Sequence, residues 1–135
     1  MAENDDLEQM RYLYNSYLRE YEVVNGELQN FFVVSSAFER NVEALSKLDI
    51  IQNANLLVGL EGGTFIEVNA SNVSKVIANV GAGYMVEKSV PDARAFVEKN
   101  TGKVQDSINK LMAQKSKLEK EILDLSFKIN SMQQQ

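Results

Sequence analysis

Residues 56–88 read LLVGLEGGTFIEVNASNVSKVIANVGAGYMVEK, a run whose apolar residues come in short stretches broken by EGG (61–63), NASN (69–72) and GAG (81–83). The alternation Val76, Ala78, Val80 and then Tyr84, Val86 has the two-residue period of half-buried strands, and the Gly and Asn at the breaks supply the positive φ that tight turns require. Four short strands follow, at 56–60, 64–68, 73–80 and 84–88, which makes two hairpins. Their apolar contacts would come from Leu56, Val58, Phe65, Ile66 and Val68 in the first and from Val76, Ala78, Val80, Tyr84 and Val86 in the second.

Outward from this segment the period changes on both sides. Leu7, Tyr14, Tyr21, Leu28, Ser35 and Val42 recur every seven residues, with Met10, Tyr17, Val24, Phe31, Phe38 and Leu45 three residues behind them. On the C-terminal side Val97, Val104, Leu111, Leu118, Leu125 and Met132 alternate with Thr101, Ile108, Lys115, Ile122 and Ile129. A 3.5-residue spacing held over five or six heptads is the mark of a coiled coil. DIIQNAN (49–55) ends the first heptad run with loop chemistry, and Ser89, Pro91 and Asp92 read as the N-cap and first turn of the second helix. The sequence thus predicts one unit over residues 1–135: a helix over about 6–48, hairpins over about 55–88 and a helix over about 90–133.

If the helices fold back antiparallel, one alignment matches every seam position of one with a seam position of the other. It sets Leu7 against Met132, Tyr14 against Leu125, Tyr21 against Leu118, Leu28 against Leu111 and Phe38 against Thr101. Lys115 falls opposite Val24, where its stem would lie along the seam and its ammonium would reach water. Charge favours the same pairing. Residues 1–48 carry nine acidic and four basic side chains, and residues 91–135 carry six and eight, so each helix prefers the other to a copy of itself.

Two-stranded hairpins of this length are marginal in water, and their edges present unpaired N–H and C=O groups. The expected remedy is to pair the edges with hairpins of other subunits, closing a sheet or barrel that one chain cannot complete. The fold class expected is therefore mainly α with a small β part: a long antiparallel two-helix coiled coil joined by two β-hairpins that assemble into an inter-subunit β-barrel.

The chain has no Cys and no His, which removes thiolate chemistry, the commonest general base and the commonest metal ligand. GAG at 81–83 lacks the Lys-Ser/Thr and the following helix of a phosphate loop. Carboxylate pairs such as Asp5 with Asp6 and Glu119 with Glu121 fall on exposed helix surface, where nothing excludes water. No catalytic, cofactor or metal site is expected, so the reading is not an enzyme. The basic residues of the last stretch are scattered among acids, which argues against nucleic acid. No apolar run approaches the roughly 18 residues of a membrane span, and MAENDDLEQM has no signal-peptide pattern. A cytoplasmic protein with no membrane association is the expectation.

Folding back brings both termini to one end of the coiled coil, where apolar residues exceed what the seam needs. Tyr12 and Phe127 fall at outward positions, Leu123 lies near them, and Leu13 and Leu18 are expected to widen the core. Phe32, Val33 and Val34 repeat the excess mid-helix. Leu7, Met10, Tyr12, Leu13, Phe127, Ile129 and Met132 form the candidate contact surface at the tip.

The order helix, two hairpins, helix, together with GLEGGTFIEVNASNVSKVIANVGAGYMVEKSVPDA (59–93), closely resembles the alpha-type, archaeal-type subunits of the prefoldin family, and VGAGYMVEKS (80–89) is the most specific part of the match. The resemblance implies an ATP-independent chaperone, a hetero-hexamer of two alpha-type and four beta-type subunits. It also implies a β-barrel body, with coiled-coil tips that hold unfolded protein clients and pass them to a group II chaperonin. The competing reading of the same residues is a coiled-coil scaffold or filament-forming protein that holds no client.

Overall fold

A computed structural model describes residues 2–48, 50–71 and 73–134. The elements run α1 (Ala2–Ser46), β1 (Ala54–Gly59), β2 (Phe65–Ala70), β3 (Lys75–Gly81), β4 (Tyr84–Ser89) and α2 (Val90–Gln133). The chain divides into two compact units. One holds residues 1–35 and 103–135, and the other residues 36–102.

In the first unit the two helix segments run antiparallel. Val24, Leu28, Ile108 and Leu118 are buried together, with Tyr17, Tyr21, Phe31, Val104 and Leu111 packed around them. Each seam residue between Leu7 and Ser35, and between Val104 and Met132, is buried or half-buried. Polar contacts on the rims fix the alignment. The Tyr21 hydroxyl donates to Glu119 Oε1 at 3.1 Å, and Gln114 Nε2 donates to Glu20 Oε1 at 3.3 Å. The heptads set Tyr21 opposite Leu118, the neighbour of Glu119; a slip of one heptad would bring Leu111 or Leu125 there. Lys115 is half-buried, and its ammonium stands 5.7 Å from the centroid of the Tyr21 ring. The cation thus stands by an aromatic face.

In the second unit the sequence forms two separate antiparallel hairpins, β1 with β2 and β3 with β4. Leu56 pairs with Val68 and Val58 with Ile66 on one face of the first, while Leu57 pairs with Glu67 and Gly59 with Phe65 on the other. The Phe65 ring covers the glycine: a Cβ at Gly59 would sit 3.5 Å from it. Gly62 and Gly63, at φ 88° and 86°, make the first turn, and Leu60 N donates to Thr64 O across it at 2.8 Å. The second turn is tighter. Gly81, Ala82 and Gly83 all have positive φ, and Asn79 Oδ1 accepts from Gly81 N at 3.0 Å.

The strands depart from the sequence reading at two turns. Asn69 and Ala70, read as turn, continue β2, because Asn69 Nδ2 donates to Asn53 O and Asn55 Oδ1 and Ala70 O accepts from Asn53 N. The positive φ in that neighbourhood belongs to Asn53, at 60°. Val80, read as an alternating strand residue, lies at a break of register between the Asn79 and Gly81 pairings, where β3 has one residue more than β4. Asp49 and Asn72, read as loop and turn, lie outside the described residues.

The start of α2 follows its sequence signal. Asp92 N donates to Ser89 Oγ at 3.2 Å, which satisfies one of the free N–H groups of the first turn, and Asp92 sits where the helix dipole favours negative charge. In the same unit Lys88 Nζ stands 5.1 Å from the Phe96 ring centroid.

Candidate interaction surfaces

The early part of α1 and the late part of α2 meet at one end of the helical unit, where Arg11, Tyr14 and Asn15 line a cleft with Ser126, Ile129, Asn130 and Gln133. Among the residues singled out there, Leu7, Met10, Ile129 and Met132 are half-buried seam residues. Tyr12 and Phe127 point outward and are 73% and 74% exposed. Leu123, one turn from Phe127, is 71% exposed. Leu18 is half-buried and widens the seam as expected, but Leu13 is exposed, because its position has turned too far from α2 to be covered. The outward residues make two local surfaces, not one. Tyr12 and Leu13 share theirs with Asp5, Glu8 and Gln9 on α1; Leu123 and Phe127 share theirs with Asp124 and Lys128 on α2. Phe32, Val33 and Val34 are also exposed.

Behind the tip, the rims carry the electrostatics of the helix pair. The Glu121 carboxylate beside the Tyr17 hydroxyl pushes its pKa up, first by accepting its hydrogen bond, then with help from partial burial and from the charges of Glu121 and Glu20. Among the described residues no three Asp or Glu side chains converge in a way that would hold a metal ion, and no helix is long and apolar enough to cross a membrane.

The hairpins form the second surface. No strand residue is fully buried. Phe65, Ile66, Val58, Val80, Tyr84 and Val86 are exposed, whereas Leu56, Val68, Val76 and Ala78 are half-buried. Leu57, Ile77 and Met85, on the opposite faces of their strands, were missed as candidates, and all three are more than 60% exposed. For Leu57 and Ile77 the signal was present in Leu56-Leu57-Val58 and Val76-Ile77-Ala78, where consecutive apolar residues put an apolar side chain on each face of the strand. Within this unit, the Phe38, Leu45, Phe96 and Val97 side chains and residues 76–79 of β3 line a further apolar cleft.

The family model for the prefoldin subunit matches residues 15–135. The chain belongs to the prefoldin family. It is 27% identical to prefoldin subunit alpha of Pyrococcus horikoshii over 137 aligned positions, covering 99% of this chain and 93% of that one. It is 25% identical to human prefoldin subunit 5 over 127, covering 89% and 80% respectively. Among solved structures it resembles the filamentous PFD of Methanocaldococcus jannaschii seen by cryo-EM, with a TM-score of 0.58, 21% identity and coverage of 88% of this chain and 93% of that chain; this likeness concerns the fold. The relatives place the chain with the alpha-type prefoldins. Prefoldins are chaperones without catalytic activity, so this is a chaperone-type subunit.

Proposed function

We propose that this prefoldin subunit works in the cytoplasm, without ATP, in a hetero-hexamer with beta-type subunits, holds non-native proteins at its coiled-coil tip and passes them to a group II chaperonin. The observation that carries the reading is the exposure of Tyr12, Leu123 and Phe127 at the terminal end of a helix pair whose seam is otherwise closed. Large apolar groups left in water on a well-packed scaffold are suited to weak contacts with many partners. Met10 and Met132, half-buried beside them, add adaptable thioethers. Several such tips in one assembly gain avidity, so no single site needs to be tight.

Assembly is assigned to the hairpins, through Leu56, Val58, Phe65, Ile66, Val68, Val76, Ala78, Val80, Tyr84 and Val86, now joined by Leu57, Ile77 and Met85. Closing these strands against those of neighbouring subunits would pair their edges and cover both faces, as a barrel does. The filamentous relative leaves room for a purely structural role, but the alpha-subunit relationships favour the chaperone.

The test is aggregation of an unfolded client followed by light scattering, with the complex reconstituted from this chain and a beta-type subunit and its mass measured in parallel. Tyr12→Ser with Phe127→Ser is expected to weaken suppression and leave the mass unchanged. Full suppression by the double variant would reject the tip assignment.

A further inference from the structure

The two exposed surfaces at the tip differ in charge, and this difference bears on which clients the chain takes; the inference rests on the chaperone reading above. On α1 the Tyr12 ring shares its surface with Glu8 one turn before it and Asp5 two turns before it, and with the uncharged Gln9 next to Glu8. Arg11 points elsewhere, into the cleft it lines with Tyr14 and Ile129. The next cation along the same face is Arg19, seven residues on, about 10 Å away at a rise of about 1.5 Å per residue. No ion pair among the described residues involves Asp5 or Glu8. On α2 the surface around Leu123 and Phe127 has one acid and one base, Asp124 and Lys128.

We propose that the Tyr12 surface selects unfolded segments in which apolar residues are interspersed with Lys or Arg, while the Phe127 surface takes apolar segments without regard to charge. A cation on the client would meet the exposed face of the Tyr12 ring and the two carboxylates together, and the apolar neighbours of that cation would lie on Leu13. An acidic segment would meet two like charges in the same place. Such contacts act within about 10 Å and are screened by salt, so the selectivity belongs to low and moderate ionic strength. A basic client also has most need of such a holder, because it is free to bind nucleic acids and other polyanions before it folds.

The experiment uses the assembled complex and two fluorescein-labelled, unstructured peptides of identical Leu and Phe content, one carrying Lys and the other Glu between them. Binding is followed by fluorescence anisotropy. The wild type is expected to bind the Lys peptide roughly three- to tenfold more tightly at low salt, with the ratio falling towards one in high salt. Asp5→Asn with Glu8→Gln should remove most of that preference, and Asp124→Asn, which takes one charge from the neutral surface, should leave it in place. A preference that survives Asp5→Asn with Glu8→Gln, or falls equally with Asp124→Asn, overturns the proposal. If the wild type binds both peptides equally and Tyr12→Ser with Phe127→Ser loses both, the charge selectivity is wrong and the tip reading stands. If that double variant binds both peptides as the wild type does, the tip reading falls and the selectivity with it.

Discussion

Val24, Leu28, Ile108 and Leu118 are each 5% exposed or less, whereas Leu57, Phe65, Ile77 and Tyr84 keep 65% or more of their surface in water. All eight are large apolar or aromatic residues in regular secondary structure. The helices differ from the strands in where their partner lies: the complement of one heptad seam is present in the same chain, so the centre of the seam is buried within one subunit. A two-stranded hairpin has two faces and two edges, and a single chain supplies a partner for only part of them. The interface the helices finish contributes to the stability of the subunit, and the interface the hairpins leave open is available for assembly.

The largest expected effect breaks this contrast if it is wrong. Ile108→Ala empties the centre of the helical core and should lower the stability of the isolated chain by about 3 kcal/mol, visible as a clear drop in the thermal midpoint by circular dichroism. Ile77→Ser should change that midpoint hardly at all, since an exposed substitution stays within about 0.5 kcal/mol. It should instead reduce the fraction of chain found in the complex with beta-type subunits by analytical ultracentrifugation. Equal thermal shifts from the two variants would mean that the hairpins are as self-sufficient as the helices.

Legibility in the sequence follows the same division. The heptads specified the seam residue by residue, and α1 and α2 begin and end within a few residues of the sequence reading, because a seam closed inside one chain leaves its whole pattern in that chain. Ser89 and Asp92 were legible for the same reason, since capping is local chemistry. Each strand overlaps its sequence reading with displaced ends, and Leu57, Ile77 and Met85 were not recognised as surface, because a half-buried pattern was assumed where apolar residues stand exposed on both faces. The bulge at Val80 and the left-handed Ala82 depend on how the ladder closes over Gly81 and Gly83, and composition does not encode that closure. At the tip, Tyr12 and Phe127 could be read from their heptad positions. Leu13 could not, since its cover depends on the exact rotation of α1.

Lys115 sharpens the comparison from inside the helical unit. A charged residue in an apolar seam costs stability and in return fixes alignment, and here the ammonium stands 5.7 Å from the Tyr21 ring centroid. Lys115→Leu should raise stability by about 1 kcal/mol and loosen the register. Cysteines replacing Tyr14 and Leu125 report this directly: they should crosslink rapidly in the parent chain. In the Lys115→Leu variant a competing crosslink between cysteines at positions 14 and 118 should appear. No competing product would assign the register to the rim hydrogen bonds of Tyr21 and Glu20.

Those rims predict a milder, pH-dependent effect. The Tyr17 pKa is raised in the folded helix pair, chiefly by the Glu121 carboxylate as acceptor for its hydroxyl proton. A group whose folded pKa lies above its unfolded one stabilises fully below the unfolded value, near 10 for tyrosine, and loses that contribution as pH rises through the folded value. The thermal midpoint should therefore fall as pH rises above about 10. Tyr17→Phe should have a lower midpoint at neutral pH and a shallower alkaline decline. An equally steep decline in the variant would shift the effect to other tyrosines of the helix pair.

The smallest effect is expected in the second unit, at an exposed contact within one helical turn. Lys47 Nζ lies 2.6 Å from Glu43 Oε1, a pair one turn apart at the end of α1 with both side chains more than half exposed. The bond, and behind it the Lys47 charge, lowers the Glu43 pKa. A depressed carboxylate stabilises above its unfolded pKa and loses that contribution as pH falls through the folded one, so any loss should occur in acid, opposite to Tyr17. Solvent screening keeps an exposed pair of this kind near the limit of detection. Glu43→Gln should leave the midpoint unchanged at neutral pH and moderate salt, and should not alter assembly. A Glu43→Gln shift as large as that of Tyr17→Phe would mean that the helix ends beside the hairpins are held more tightly than their exposure implies, and the sharp division between a finished helical interface and an unfinished β interface would have to be moved into α1 itself.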